Sequence, residues 1–199
     1  REILMENSMF CYQCEQTIGG KGCTKAGNCG KSSEVAALQD LLIYELKGIG
    51  FYGEKLLEKG IKIDDETDKF VMDATFATLT NVNFDPDRFV DYLKKAQEIK
   101  DCFKKQLGDC KCEVPEIVKY KIPSTKDEML KDAEKAGIMY DETLDADIRS
   151  LREMLIYGMK GMGAYAHHAH VLGYKDEVVS KFFYKGFAAV VDDNLSVED

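Results

Sequence analysis

The chain lacks any apolar run long enough to cross a bilayer, since its best candidate, residues 41–44, is broken at once by Glu45 and Lys47. Membrane insertion is not expected. It also lacks a basic face: 27 Lys and Arg against 36 Asp and Glu leave a net charge of −9, and no basic cluster is free of interleaved acids. Phosphate binding needs such a face, so a general nucleic-acid role is disfavoured. Residues 1–8 contain no apolar stretch of the signal-peptide kind. Seven cysteines without a secretory signal point to a reducing cytoplasm, where thiolates are available as ligands. What is present is 199 residues, 45% of them hydrophobic, enough for a substantial core in one or two domains.

Four of the cysteines lie within nineteen residues, Cys11, Cys14, Cys23 and Cys29, spaced C-x2-C-x8-C-x5-C and threaded with Gly19, Gly20, Gly22, Gly27 and Gly30. A C-x-x-C pair lets two sulfurs converge on one ion or cluster corner. The glycines permit turns that return the other two and leave N–H groups free to face sulfur. An iron–sulfur centre fits this pattern best. Zinc usually pairs two tighter arms, so the C-x5-C arm disfavours it without excluding it. A thioredoxin-type pair should follow a strand, and nothing before Cys11 reads as one. A secreted disulfide framework would call for a leader and a shorter chain. Cys102, Cys110 and Cys112 form a second group, but three thiols with no histidine nearby make a poor closed site, so they stay unassigned.

The rest of the chain reads as all-α. Ser32 or Ser33 caps a long amphipathic helix with Glu34 in its first turn and Val35, Leu38, Leu42, Leu46, Ile49 and Leu56 at helical spacing, ending near Gly60. Asp64 and Asp65 open a second helix carrying Phe70, Ala74 and Ala77. Asp85-Pro86 opens a third, carrying Phe89, Tyr92, Leu93 and Ala96 toward Gly108. The expected organisation is a cluster loop over 9–31 and a three-helix bundle over 32–108. A linker over 109–125 follows, with a short extended stretch around 117–122 as an option, and then a second, incomplete bundle over 126–199. Within that last part, a capping box at Ser124 or Thr125 starts a short helix to Ala136, closed by Gly137.

The second bundle repeats the first. Shifting the chain by 113 positions aligns residues 38–52 with 151–165, and eight of the fifteen pairs are identical, from Leu38/Leu151 through Tyr44/Tyr157 and Gly48/Gly161 to Tyr52/Tyr165. Chance would give about one. After a two-residue deletion Asp65-Glu66 matches Asp176-Glu177 and Phe76-Ala77 matches Phe187-Ala188, so a whole hairpin recurs. The counterpart of the third helix would begin near Asn194, and the expectation is that the second bundle lacks it here, either because the chain is a fragment or because a partner supplies it. An exposed apolar groove along residues 154–165 would follow, with limited proteolysis attacking that half first.

Some motifs look chemical and are better read as structural. Gly48-Ile-Gly-Phe-Tyr-Gly53 satisfies G-x-G-x-x-G, and Gly161-Met-Gly-Ala-Tyr-Ala166 its alanine variant. Both lie inside helices, where glycine costs roughly 1 kcal/mol against alanine, so close helix–helix approach is the better reason. Gly30-Lys31-Ser32 resembles a P-loop tail, but the earlier glycine falls on Lys25 and the match fails. His167, His168 and His170 lack an obvious carboxylate partner on their face, which favours surface or interface imidazoles. Tyr44/Tyr157 and Tyr52/Tyr165 recur with the repeat and read as core packing.

The string Met9-Phe-Cys-Tyr-Gln-Cys-Glu-Gln-Thr17, with Gly22-Cys23, Gly27-Asn-Cys29-Gly-Lys31 and Leu38-Gln-Asp-Leu-Leu-Ile-Tyr44, closely resembles the hybrid-cluster protein family, also called prismane proteins or hydroxylamine reductases. The resemblance runs from Met9 to the last residue, and residues 1–8 then read as an upstream extension or added residues. It implies an α-helical N-terminal domain of two three-helix bundles within a much longer protein. It also implies a [4Fe–4S] cubane on Cys11, Cys14, Cys23 and Cys29, with [2Fe–2S] or zinc as the alternatives. The family's hybrid iron–sulfur–oxygen cluster is held in later domains, so no residue here is assigned to it and no catalytic residue is expected. A related helical region occurs in carbon monoxide dehydrogenases, but the string from Met9 to Thr17 speaks for the hybrid-cluster side. The implied function is electron entry for an anaerobic, cytoplasmic reductase of hydroxylamine or nitric oxide. Its partners would be the catalytic domains or a redox protein. The competing class is a zinc-binding or scaffold helical module without redox activity.

Overall fold

A computed structural model of the chain describes residues 9–108, 112–138 and 144–199. Residues 1–8 and Cys110, both named above, lie outside the described residues. The described residues form seven α-helices and one short 3-10 turn, Ile18–Gly20, with no strand beyond a single isolated bridge.

Local chemistry sets the helix ends. Helix α1, Ser33–Glu58, starts where the Ser32 hydroxyl accepts from the Val35 N–H at 3.2 Å. It stops at Gly60, whose φ of 73° lets the N–H groups of Gly60 and Ile61 turn back onto the Leu57 and Leu56 carbonyls, both at 2.9 Å. Helix α6, Ala146–Val171, has the same length and the same stop: Gly173, at φ 85°, and Tyr174 donate to His170 and Ala169, again at 2.9 Å. The short helices match too, α2 (Asp65–Ala77) capped by Asp64 and α7 (Glu177–Ala189) capped by Asp176. Helix α3, Pro86–Leu107, has the Asp85 cap and first-turn proline expected from its sequence.

Two expectations change between α3 and α6. The first part of the stretch over 117–122 is not extended, because Glu116–Lys119 closes a single helical turn, α4, and only from Tyr120, at φ −54° and ψ 146°, does the backbone open out. This segment is also no loose linker: Val118 is buried and α4 lies against α1, as does α5, Lys126–Ala133, whose cap is Thr125. The repeated hairpins interleave as well. Helix α7 of the second copy packs on α1 of the first, α2 packs on α6, and one continuous hydrophobic core runs through both copies.

The glycines of α1 serve that packing. A Cβ on Gly48 would come within 2.7 Å of the Lys100 side chain on α3, and Cβ atoms on Gly50 and Gly53 would collide with Phe187 and Tyr184 on α7. Close approach is therefore the role of the G-x-G-x-x-G string. In α6, Gly163 meets the α2 backbone around Met72, whereas Gly161 faces open space. The expected apolar face along α6 is present: Met154, Tyr157 and Tyr165 are 64%, 48% and 82% exposed.

Candidate metal centre

The four thiols sit on a loop clasped against the start of α1. Cys11 and Cys23 pair like residues of two antiparallel strands, Cys11 N–H to Cys23 carbonyl at 3.1 Å and the reverse at 2.8 Å. One bond further out, Met9 N–H donates to the Thr24 carbonyl at 3.1 Å. Cys23 and Met9 are buried against Ala36 in the first turn of α1. Left-handed backbone at Gly19, Gly20 and Gly30 makes the turns between cysteines, a conformation that glycine adopts without a Cβ penalty.

Polar side chains fix the loop from within. Thr17 donates to the Cys11 carbonyl at 3.1 Å while its hydroxyl lies 3.8 Å from the Cys23 sulfur, and its N–H reaches the Cys14 carbonyl at 3.1 Å. Asn28 ties the far side by donating to the Gln16 carbonyl at 3.0 Å. The Cys23 thiol is pulled below its ordinary value, first by N–H groups of Asn28 and Ile18 that favour the thiolate, then against burial by Thr17 and the Lys31 charge. Cys11, Cys14, Cys23 and Cys29 are all free thiols; Cys23 is buried and the other three are half-buried. Among the described residues no three Cys, His or carboxylate side chains gather around one point.

Lys31 and Tyr157 anchor the loop to the helices, and sequence reading missed both roles. Lys31 is 2% exposed and points its ammonium group at the Cys11 sulfur, 3.9 Å away, while donating to Gln39 on α1 at 2.5 Å. Gln39 passes the connection on to the Asn83 carbonyl at 3.2 Å. Tyr157 of α6 donates to the Gln13 carbonyl, between the first two cysteines, at 2.8 Å. Tyr157 is therefore not core packing, and neither is the exposed Tyr165, whereas Tyr52 is buried as expected. The signal for Lys31 was its place directly after the last cysteine motif, in the string set aside as a failed P-loop.

Elsewhere, His167 does have a carboxylate partner: its Nδ1 lies 2.7 Å from Asp73 of α2, which also pairs with Lys69, and Phe76 packs against the rings of both His167 and His168. Interleaving of the two copies brings that carboxylate in, so no reading along the α6 face could find it. Cys102 is an exposed thiol accepting from Gln106, and Cys112 is disulfide-bonded, so they make no second thiolate site with each other. No helix among the described residues is long and apolar enough to cross a membrane.

Residues 9–199 match the family model described as Prismane/CO dehydrogenase family. Among curated proteins, the chain is 45% identical over 198 residues to a hydroxylamine reductase of Natranaerobius thermophilus, covering 96% of this chain and 36% of that protein. It is 46% identical over 195 residues to the hydroxylamine reductase of Methanosarcina mazei and 45% over 196 residues to that of Clostridium novyi, covering 34% and 35% of them. The chain thus spans about a third of the length of the curated relatives it matches.

Proposed function

The chain belongs to the Prismane/CO dehydrogenase family, and from that premise we propose that it is the iron–sulfur electron-entry domain of a hydroxylamine reductase-type oxidoreductase. The observation that carries this reading is the clasped loop of four free thiols with donors already aimed at sulfur. Cys11, Cys14, Cys23 and Cys29 would hold the cluster, which we read as a [4Fe–4S] cubane because the close spacing of these cysteines resembles that of family members that carry one. Bound there, such a cluster supplies a one-electron redox centre.

The chain's own residues then have definite tasks. N–H groups of Asn28 and Ile18 and the Thr17 hydroxyl favour negative charge on Cys23, and the Lys31 ammonium group donates toward the Cys11 sulfur. Thr17, Gln39 and Tyr157 hold the backbone that carries those sulfurs. Met9, Cys23 and Ala36 pack to limit water on one side of the loop. The reduction of hydroxylamine to ammonia, or of nitric oxide, we assign to the whole protein and to residues outside this chain, with a cytoplasmic setting and the catalytic domains or a redox protein as its partner.

Anaerobic reconstitution with iron and sulfide tests the reading. The expected product is a brown protein with iron and sulfide in near-equal amounts, and Cys14→Ser should lose both while keeping its helical circular dichroism. A colourless protein with stoichiometric zinc would overturn the reading in favour of a zinc or scaffold module.

A further inference from the structure

A cavity of about 40 Å³ lies directly behind Cys11, between α1 and α6. Five charged side chains line it: Lys31 from the cysteine loop, and four that the internal repeat relates in pairs, Asp40 to Glu153 and Lys47 to Lys160, each 113 positions apart. Each long helix thus contributes one acid and, two turns later on the same face, one lysine. Lys160 is 6% exposed, while Asp40, Lys47 and Glu153 are half-buried. No two of the four form a direct ion pair, and the space between them is large enough for one or a few waters. Tyr12 and Tyr157, both partly exposed, also line the cavity.

Groups enclosed without direct partners resist carrying charge. Burial pushes Asp40 up to about 7; Lys160, Lys31 and Lys47 oppose this and Glu153 adds to it. Burial pulls Lys160 down to about 8, with Lys31 adding to it and Asp40, Glu153 and Cys11 opposing. Lys47 is also lowered, by burial first and then Arg152, against Glu153 and Asp40. Acid and base in one cavity therefore release protons over neighbouring ranges, and a new negative charge nearby is enough to draw a proton in.

Resting on the reading of the cysteine loop as a redox centre, we propose that the cavity between α1 and α6 is a proton-acceptor site, Asp40 taking up one proton from solvent when one electron enters at Cys11. The balance is one electron from an external one-electron donor onto the iron–sulfur centre that the cysteine loop would hold, which is thereby reduced, and one proton from solvent onto the Asp40 carboxylate, with no other bond made or broken. Lys160 sets the range in which this happens, because its positive charge opposes protonation of Asp40.

The test is a redox titration of the reconstituted chain with dithionite, followed optically at a series of pH values from roughly 6 to 9. Reduction should become up to tenfold less favourable per pH unit across part of that range, which for one electron is about 59 mV per tenfold. Asp40→Asn should flatten the dependence, and Lys160→Met should move it to higher pH. A wild-type potential independent of pH, in a protein that does carry its cluster, overturns the inference and leaves the electron-entry reading intact. A full slope retained in Asp40→Asn overturns Asp40 as the acceptor. Failure of the wild type to assemble any cluster removes the premise and the inference with it. Should Asp40→Asn fail to fold, the upward shift in Lys160→Met carries the decision, and its absence counts against the proposal.

Discussion

Helices α1 and α6 have the same length and the same glycine stop, each starts at a side-chain N-cap, Ser32 or Asp145, and they share eight identities over their central fifteen residues. Their surroundings differ sharply. Fifteen residues of α1 are buried but only four of α6, because α3, α4, α5 and α7 surround α1 whereas α6 packs chiefly on α2 and α7. The difference shows at single positions. Glu45 of α1 forms a buried pair with Lys100 of α3, 2.7 Å away, and its counterpart in α6 is Gly158, where an added Cβ would meet nothing. Gly48 lies tight against the Lys100 stem, and its counterpart Gly161 lies open. A helix sequence thus sets its own ends and its apolar face, while the partner that covers the face decides what each residue there does.

The sharpest way to break this comparison is to make the same cut in both helices. Leu42, fully buried in α1, and Leu155, half-buried in α6, are equivalent residues touching the same core. Leu42→Ala should cost about 2–5 kcal/mol of unfolding free energy and Leu155→Ala about 1 kcal/mol, read from urea denaturation. Equal losses would mean that the two faces are covered alike.

A smaller effect sets the acid of α1 against the base of α6. Asp40, raised from 3.8 to about 7, keeps its proton in the folded chain over a range where the unfolded chain has lost it. Through this group, stability falls as pH rises from 3.8 to about 7 and is flat above. Lys160, lowered from 10.5 to about 8, acts in the opposite sense: the unfolded chain holds the extra proton, and stability rises with pH between those values. Denaturation of the metal-free chain across both ranges should show Asp40→Asn removing the first slope and Lys160→Met the second.

The smallest expected effect concerns the one place where the exposed face of α6 reaches the cysteine loop. Tyr157→Phe removes the hydrogen bond to the Gln13 carbonyl, worth about 0.5–1.5 kcal/mol. It should speed amide hydrogen exchange in residues 10–24 several-fold while leaving the centre of α1 unchanged.

These contrasts also mark what the sequence could reveal. Six of the seven helices, the caps of the first three and the repeat were legible because they rest on neighbours within four residues and on comparison of the chain with itself, as at Ser32, Asp64, Asp85 and Gly60, whereas the single turn α4 lies where the sequence reads as a linker or an extended stretch. That the four cysteines share one short loop was legible for the same reason, from their close spacing. Tyr157 was misread, and the carboxylate partner of the interface residue His167 was missed, because Gln13 and Asp73 lie 144 and 94 positions away. Lys31 carries the appearance of a surface lysine, and only the folded loop shows it buried against a thiol. The charged cavity needed both levels: the repeat pairs Asp40 with Glu153 and Lys47 with Lys160, but the interleaved packing brings the pairs face to face.

The central claim is that the loop from Cys11 to Cys29 is a one-electron centre. Electron paramagnetic resonance of the anaerobically reconstituted chain, before and after reduction by dithionite, tests it most directly. The account predicts a silent oxidised state and, on reduction, a fast-relaxing spin-half signal that Cys14→Ser does not give. A protein that binds its metal in full yet stays silent in both states would contradict it.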